Sequence, residues 1–280
     1  MPDITAKINV NTSAGPQKVS VQLPSAQAAG NATLQLKLLG DVDTTELNEV
    51  RIDVAFVCVP TPMGADGSID SSIVRQVVKE LEVKSCPIVI KSTITPAVVS
   101  ELQSDNEYVI YNPEFLTEKN ALDDFINPPM HVFGGLKKYT EQIEQIYHRF
   151  SQCKPCPVFH MTAMEASFVK YGINSFLATK VLWMNQFKDL CDEYNAKYNV
   201  ISNVIGSDPR IGHSHMQVPG PDGRKGFGGA CFPKDTSAFN AFSEGSFSVL
   251  EKVIQENNKY RDQYELDARE KEQNIVYMTR

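Results

Sequence analysis

The spacing of apolar positions changes twice along the 280-residue chain. Up to about residue 50 they alternate with polar ones: Ile8 and Val10, then Val19, Val21 and Leu23, then Leu34, Leu36 and Leu38. Turn-prone pieces at 13–16 and at Gly30-Asn31 separate these stretches. Period-two alternation between turn residues predicts a small antiparallel β meander with one apolar face. The rival reading is an eroded β-α-β unit with a short helix over 24–30.

From residue 52 the pattern becomes α/β. Val54 to Val59 is a nearly continuous apolar run, as a strand covered on both faces requires. Asp70 to Val83 then shows helical spacing through Ile73, Val77 and Leu81, with Ser68 or Asp70 as N-cap. Strands are predicted at Ile88 to Ile90, Val109 to Tyr111 and Val132 to Gly134. Helices are predicted over Pro96 to Leu102, where proline opens the first turn, and over Glu141 to Phe150. This is the later half of a doubly wound parallel sheet. After Met164 the three- to four-residue spacing persists to about Asn199, too long for one small core to cover. More helix follows near Val200 to Ile205 and from Asp235 to Tyr260. The domain reading is 1–50 as an atypical N-terminal segment, 51–162 as the α/β domain and 163–280 as an all-α domain.

Composition narrows the function classes. Hydrophobic content of 42% and charged content of 22% are ordinary for a globular protein. A net charge of −7 argues against a general nucleic-acid binder, which needs a basic surface. No apolar run reaches membrane-spanning length and the N-terminus lacks a signal layout, so a cytoplasmic location is the default expectation. The six cysteines are scattered, which suits a reducing compartment. Cys153-Lys-Pro-Cys156 has no second C-x-x-C, and His213-Ser-His215 has no third ligand, so no metal site is expected.

The run Gly226-Phe-Gly-Gly-Ala-Cys231-Phe-Pro-Lys234-Asp235 carries the strongest chemical signal. Glycines let backbone approach a ligand closely. A thiol beside cationic or dipolar neighbours is a candidate nucleophile. Lys170 and Asn174 are four apart on a predicted helix and share one face. A cation and an amide on one face suit an oxyanion and sugar hydroxyls.

Five further motifs precede this loop in order: Phe56-Val-Cys-Val-Pro60-Thr61-Pro, Lys91-Ser-Thr93, Asn112-Pro-Glu114-Phe115-Leu116-Thr-Glu118, Lys170-Tyr-Gly-Ile-Asn174 and Asp208-Pro-Arg210-Ile-Gly. Together they resemble the UDP-glucose/GDP-mannose dehydrogenase family over about residues 52–260. The resemblance implies a Rossmann-like cofactor domain and NAD as cofactor. It implies oxidation of a nucleotide sugar of the UDP-glucose to UDP-glucuronate type, a step of polysaccharide biosynthesis. Two hydride transfers run through a cysteine thiohemiacetal and a thioester, which water hydrolyses. It implies Cys231 as nucleophile, Lys170 and Asn174 at the oxyanion and hydroxyls, Glu118 as acid/base, and Thr93 with Asp235 ordering a water. Glu114, Phe115, Leu116, Arg210, Phe227 and Gly228 match substrate positions. Pro60, Thr61, Thr93, Glu118 and Lys234 match cofactor positions. Arg210 is expected to reach a neighbouring subunit's sugar site, and the 164–199 helix to form a homodimer. Full-length members continue into a third, nucleotide-binding domain, so a short form is expected.

Three features depart from the family pattern. No G-x-G-x-x-G run exists, since Gly15, Gly30 and Gly40 are isolated; that turn normally seats the pyrophosphate. Ala230 stands where many members carry serine. Residues 216–226 form a longer, basic approach in which Arg224 and Lys225 either touch substrate phosphates or are solvated. The competing reading is therefore a catalytically inactive nucleotide-sugar-binding or assembly module that has lost the dinucleotide fingerprint.

Overall fold

The computed structural model describes residues 53–82, 85–117 and 120–277, and backbone pairing at 5–12 and 15–22. Strands β1 (Thr5–Thr12) and β2 (Gly15–Gln22) pair antiparallel, with Ile8 opposite Val19 and Val10 opposite Gln17. The first two alternating stretches thus form a hairpin. The third stretch at 34–38 and the alternative helix at 24–30 lie outside the described residues.

Strands β3 (Ala55–Val57), β4 (Ile88–Ile90), β5 (Val109–Tyr111), β6 (His131–Gly134) and β7 (Val158–Met161) form one sheet in that spatial order. β3, β4 and β5 run parallel, as do β6 and β7. The all-parallel expectation fails at one place: β6 is antiparallel to β5, with Gly134 opposite Tyr111. A parallel neighbour needs a crossover along the sheet, usually a helix. Here the described residues between 112 and 130 hold only the short helix α3 (Ala121–Ile126), so the chain re-enters from the edge it left.

Alternate strand residues enter two cores, as the pleat demands. Val57, Ile88, Ile90, Val109 and Tyr111 meet α1 (Ser72–Leu81), α2 (Pro96–Asp105) and the start of α5 (Ala163–Glu193). Val89, Ile110 and Phe133 meet Ile143 and Tyr147 of α4 (Lys137–Phe150) on the opposite face. The nearly unbroken apolar strand runs reflect this double coverage. α1 opens at Ser71 as its N-cap residue, while Asp70 Oδ1 accepts from Ser72 N at 2.9 Å. Gly134 lets β6 approach α5, since a Cβ there would lie 2.5 Å from the Ala166 Cβ.

α5 is the spine of the helical region. Thr162 and Glu165 form a capping box at its start. Its 31 residues span about 46 Å at 1.5 Å each. Ala163 and Ala166 enter the sheet core, Tyr171 meets Phe239 and Leu250, Ala178 and Leu182 meet Phe227 and Val253, and Met184 and Cys191 meet Tyr198 and Met216. The helix stops short of the expected Asn199. Asn195 adopts φ 53°, the left-handed conformation asparagine tolerates after a helix end, and α6 (Tyr198–Gly206) starts anew. The helix expected over 235–260 is likewise two, α7 (Phe232–Phe242) and α8 (Ser248–Arg261), parted at Glu244 (φ 49°) and Gly245 (φ 82°). A last helix, α9 (Ala268–Glu272), has its own capping box from Asp267 and Glu270. No helix among the described residues is long and apolar enough to cross a membrane.

Candidate active site

The carboxyl ends of β3, β4 and β5 supply three adjacent loops, the edge where open α/β sheets bind ligands. After β3 come exposed Pro60 and buried Thr61. Ser92 staples this loop to the one after β4: its Oγ donates to Val59 O at 2.6 Å and accepts from Val59 N at 2.9 Å. Thr93 follows, half-buried. After β5 come buried Asn112 and Pro113, half-buried Glu114 and Phe115, and exposed Leu116. Glu118 lies outside the described residues.

α5 crosses behind this edge. Lys170 and Asn174 sit one turn apart and both are buried. The Lys170 Nζ donates to the Glu114 carbonyl at 2.6 Å and lies 5.7 Å from the centre of the Phe115 ring. Asn174 Nδ2 donates to Asp235 Oδ2 at 2.6 Å. The other oxygen of Asp235 accepts from Lys234 Nζ at 2.7 Å. Asp235 is 1% exposed and Lys234 6%. A buried ion pair is stable only when its remaining polar atoms are satisfied, and the Asn174 amide does that for Asp235. Burial pushes the Tyr171 hydroxyl well above its usual range, and the Asp235 charge adds to this. Burial raises the Tyr111 hydroxyl as well.

Cys231 is exposed and occupies the N-cap position of α7, with Pro233 in the first turn. Its carbonyl accepts from Asp235 N at 2.8 Å, so the helix turn fixes nucleophile candidate and carboxylate relative to each other. Backbone dipoles at a helix N-terminus favour negative charge. The preceding glycine loop is gripped from the C-terminal side. Asn257 Oδ1 accepts from Phe227 N at 2.7 Å, and Asn257 Nδ2 donates to Phe227 O at 3.0 Å. The Phe227 ring is 3% exposed and belongs to the helical core. Gly228 lies against Arg261, where an added Cβ would fall 1.9 Å from Nη2. Arg261 in turn pairs with Glu270 and Asp222, each at 2.7 Å.

The structure thus joins Lys170 to the Glu114 loop, and Asn174 and Lys234 to Asp235, with Cys231 linked to Asp235 through its backbone carbonyl. Arg210 lies apart, 87% exposed and bonded to Asp208 through both carboxylate oxygens. Arg224 and Lys225 are part-exposed and already partnered: Arg224 donates to Glu265 O at 2.7 Å and Lys225 is ion-paired with Asp189. Asp189 of α5 and Glu265 after α8 hold them, a tertiary effect with no local signature.

Two family models match the chain. The NAD binding domain of the UDP-glucose/GDP-mannose dehydrogenase family matches residues 25–151, and its central domain residues 164–259. The chain belongs to this family. Its cofactor-domain match begins inside the segment that composition sets apart. The UDP-glucose 6-dehydrogenase of Rickettsia bellii is 36% identical over 220 residues, which is 74% of this chain and 49% of that protein. The enzyme of the same name from Pseudomonas aeruginosa is 33% identical, over 74% and 48%. The solved UDP-glucose dehydrogenase of Pyrobaculum islandicum superposes with a TM-score of 0.64 at 30% identity, over 74% of this chain and 50% of that one. The chain therefore spans about half the length of the family members it matches.

Sequence reading assigned no role to Lys91, Asn112, Tyr147, Arg261 or Glu270. Lys91 and Asn112 stand in quoted motifs. Their partners come from other elements, so no spacing rule reaches them.

Proposed function

We propose that the chain oxidises a nucleotide sugar of the UDP-glucose type to the corresponding uronate. The observation that carries this reading is the interlocked set Asn174, Asp235 and Lys234 beside Cys231, with Lys170 one turn away on the same helix. Pro60, Thr61 and Thr93 lie on adjacent loops at the carboxyl edge of parallel strands, which fits the reactive end of a dinucleotide. Lys234 and, by sequence, Glu118 complete the family's cofactor positions. NAD, when bound, accepts hydride from the sugar carbon.

In this reading the C6 hydroxyl gives up a proton as hydride leaves, and an aldehyde results. The Cys231 sulfur adds to the aldehyde carbon, giving a thiohemiacetal, and loss of the second hydride gives a thioester. Lys170 and the Asn174 amide stabilise the oxyanion. Thr93 and Asp235 order the water that attacks the thioester carbonyl, and Glu118 takes its proton as acid/base. The Cys231 thiolate leaves and the carboxylate is released. Glu114, Phe115, Leu116 and Gly228 hold the sugar nucleotide, Phe227 anchors the glycine loop in the helical core, and Arg210 serves the site of a second copy. Support for a homodimer comes from α5, where Phe176, Trp183 and Leu190 recur every seven residues and are 71%, 52% and 50% exposed.

Mixing the protein with NAD and UDP-glucose tests the reading: two NADH form per sugar, and Cys231→Ser stops turnover. Absence of cofactor reduction with any nucleotide sugar would refute it. The missing glycine run favours a second reading, a non-catalytic sugar-nucleotide binder. Calorimetry separates the two, because that reading has UDP-glucose bind and NAD not.

A further inference from the structure

Lys91 follows β4 directly, and its side chain is only 9% exposed. Its ammonium has three protons and three acceptors. It is ion-paired with Glu114, donates to Asn112 Oδ1 at 2.6 Å and donates to Tyr147 OH at 3.0 Å. The acceptors are themselves fixed. Tyr147 OH donates to the same Asn112 oxygen at 2.8 Å, and Asn112 Nδ2 donates to Val132 O at 2.9 Å. Lys91 thus ties together the ends of β4 and β5, the adjoining strand β6, and helix α4. With all three protons engaged, it has none to offer a substrate.

Its partner Glu114 is held twice. Lys91 takes the carboxylate, and Lys170 takes the backbone carbonyl of the same residue at 2.6 Å. The loop from 112 to 115 is therefore clamped between a lysine on the sheet edge and a lysine on α5. Lys170 finds one acceptor among the described residues, the Glu114 carbonyl. The position of its amine depends on where that carbonyl stands.

We infer that Lys91 is a positioning residue: it fixes Glu114, and through the Glu114 carbonyl it aims the Lys170 amine. The consequence for activity rests on the dehydrogenase reading given above; the geometric consequence does not. A misplacement of about 1 Å at a reacting group costs on the order of a hundredfold in rate.

The test is a cycle of the wild type, Lys91→Met, Glu114→Gln and the double variant. The readouts are kcat and KM with UDP-glucose and NAD, thermal melts, and crystal structures of the wild type and Lys91→Met. Lys91→Met is expected to lower kcat about a hundredfold, to leave the KM for NAD within about threefold, and to lose the Lys170 to Glu114 carbonyl bond. The double variant is expected to be no slower than the slower single one, because both changes release the same loop. A merely structural lysine would lower the melting temperature and give multiplying rate effects. Multiplying effects, or an intact Lys170 to Glu114 bond in Lys91→Met, overturn the inference. If the wild type reduces no cofactor, the dehydrogenase reading falls by itself, and the crystal structures still decide the role of Lys91.

Discussion

Removing the Glu270 carboxylate strikes the support of the glycine loop. Glu270 and Arg261 both have 0% side-chain exposure and pair at 2.7 Å. The same carboxylate accepts from Tyr277 OH at 2.7 Å, from Gly229 N at 3.2 Å and from Asp267 N at 3.0 Å. Glu270→Ala leaves the buried guanidinium with Asp222 as its remaining carboxylate at 2.7 Å and orphans the Tyr277 and Gly229 donors. Breaking a buried pair by deleting one partner costs about 3–5 kcal/mol. With urea slopes of about 1–3 kcal/mol/M, the unfolding midpoint should fall by at least about 1 M. Glu270→Gln keeps an acceptor for both donors and should lose less. Acid supplies an independent check. Burial pushes the Glu270 carboxyl up, but the bonds from Tyr277, Asp267 and Gly229 and the Arg261 charge outweigh it, so its pKa lies below the usual value. A depressed carboxylate stabilises the fold above its unfolded pKa of about 4.3 and stops doing so as pH falls through the folded value. The gap between wild type and Glu270→Ala should therefore narrow in acid below that pH. An alanine variant within about 1 kcal/mol of wild type at neutral pH, with an unchanged slope, would refute this account of the pair.

Gly228→Ala places a methyl 1.9 Å from Arg261 Nη2 and 2.3 Å from its Cζ, so the loop or the ion pair must move. A loss of about 1–3 kcal/mol is expected on denaturation, with weaker sugar-nucleotide binding by calorimetry; wild-type values for both would show that the contact is slack. Phe176→Glu with Trp183→Glu should convert the protein from dimer to monomer on sedimentation. A wild-type monomer, or a double variant that stays dimeric, would exclude this face of α5 as the interface.

Much of the fold was legible because burial and period coincide. The strands at 88–90 and 109–111 are short apolar runs buried on both faces, and their sequence bounds match the observed ones. Helix ends were less legible. Asn195 and Glu244-Gly245 break helices by adopting positive φ, and neither interrupts the apolar spacing that predicted one long element. The reversal of β6 was invisible, since strand pattern does not encode direction. In the candidate site, helical spacing put Lys170 and Asn174 on one face, and the family resemblance singled them out together with Asp235. Lys91, Tyr147, Arg261 and Glu270 were not legible, because a buried charge announces itself only through partners far away in sequence. Arg224 and Lys225 show the converse: residues that read as an open basic loop in sequence are ion-paired to distant acidic residues in the fold.

The departure at the glycine turn and the presence of Lys170, Asn174, Cys231 and Asp235 have different physical weight. A pyrophosphate turn acts mainly through backbone N–H groups and the absence of Cβ atoms, so it depends on local sequence. The proposed sugar side depends on long-range contacts: Lys170 reaches across to the Glu114 loop, Asn174 to α7, and Arg261 to the glycine loop. Each of these links also secures a core or a loop, so drift at one position would cost stability as well as chemistry. Loss of a fingerprint in the first half therefore does not entail decay of the second. Cofactor affinity is the property on which the catalytic and non-catalytic readings part, and nucleotide-sugar binding is the one they share. A chain that binds the sugar nucleotide with Lys170 and Asn174 intact, yet shows no heat with NAD, would separate the two halves of the site thermodynamically.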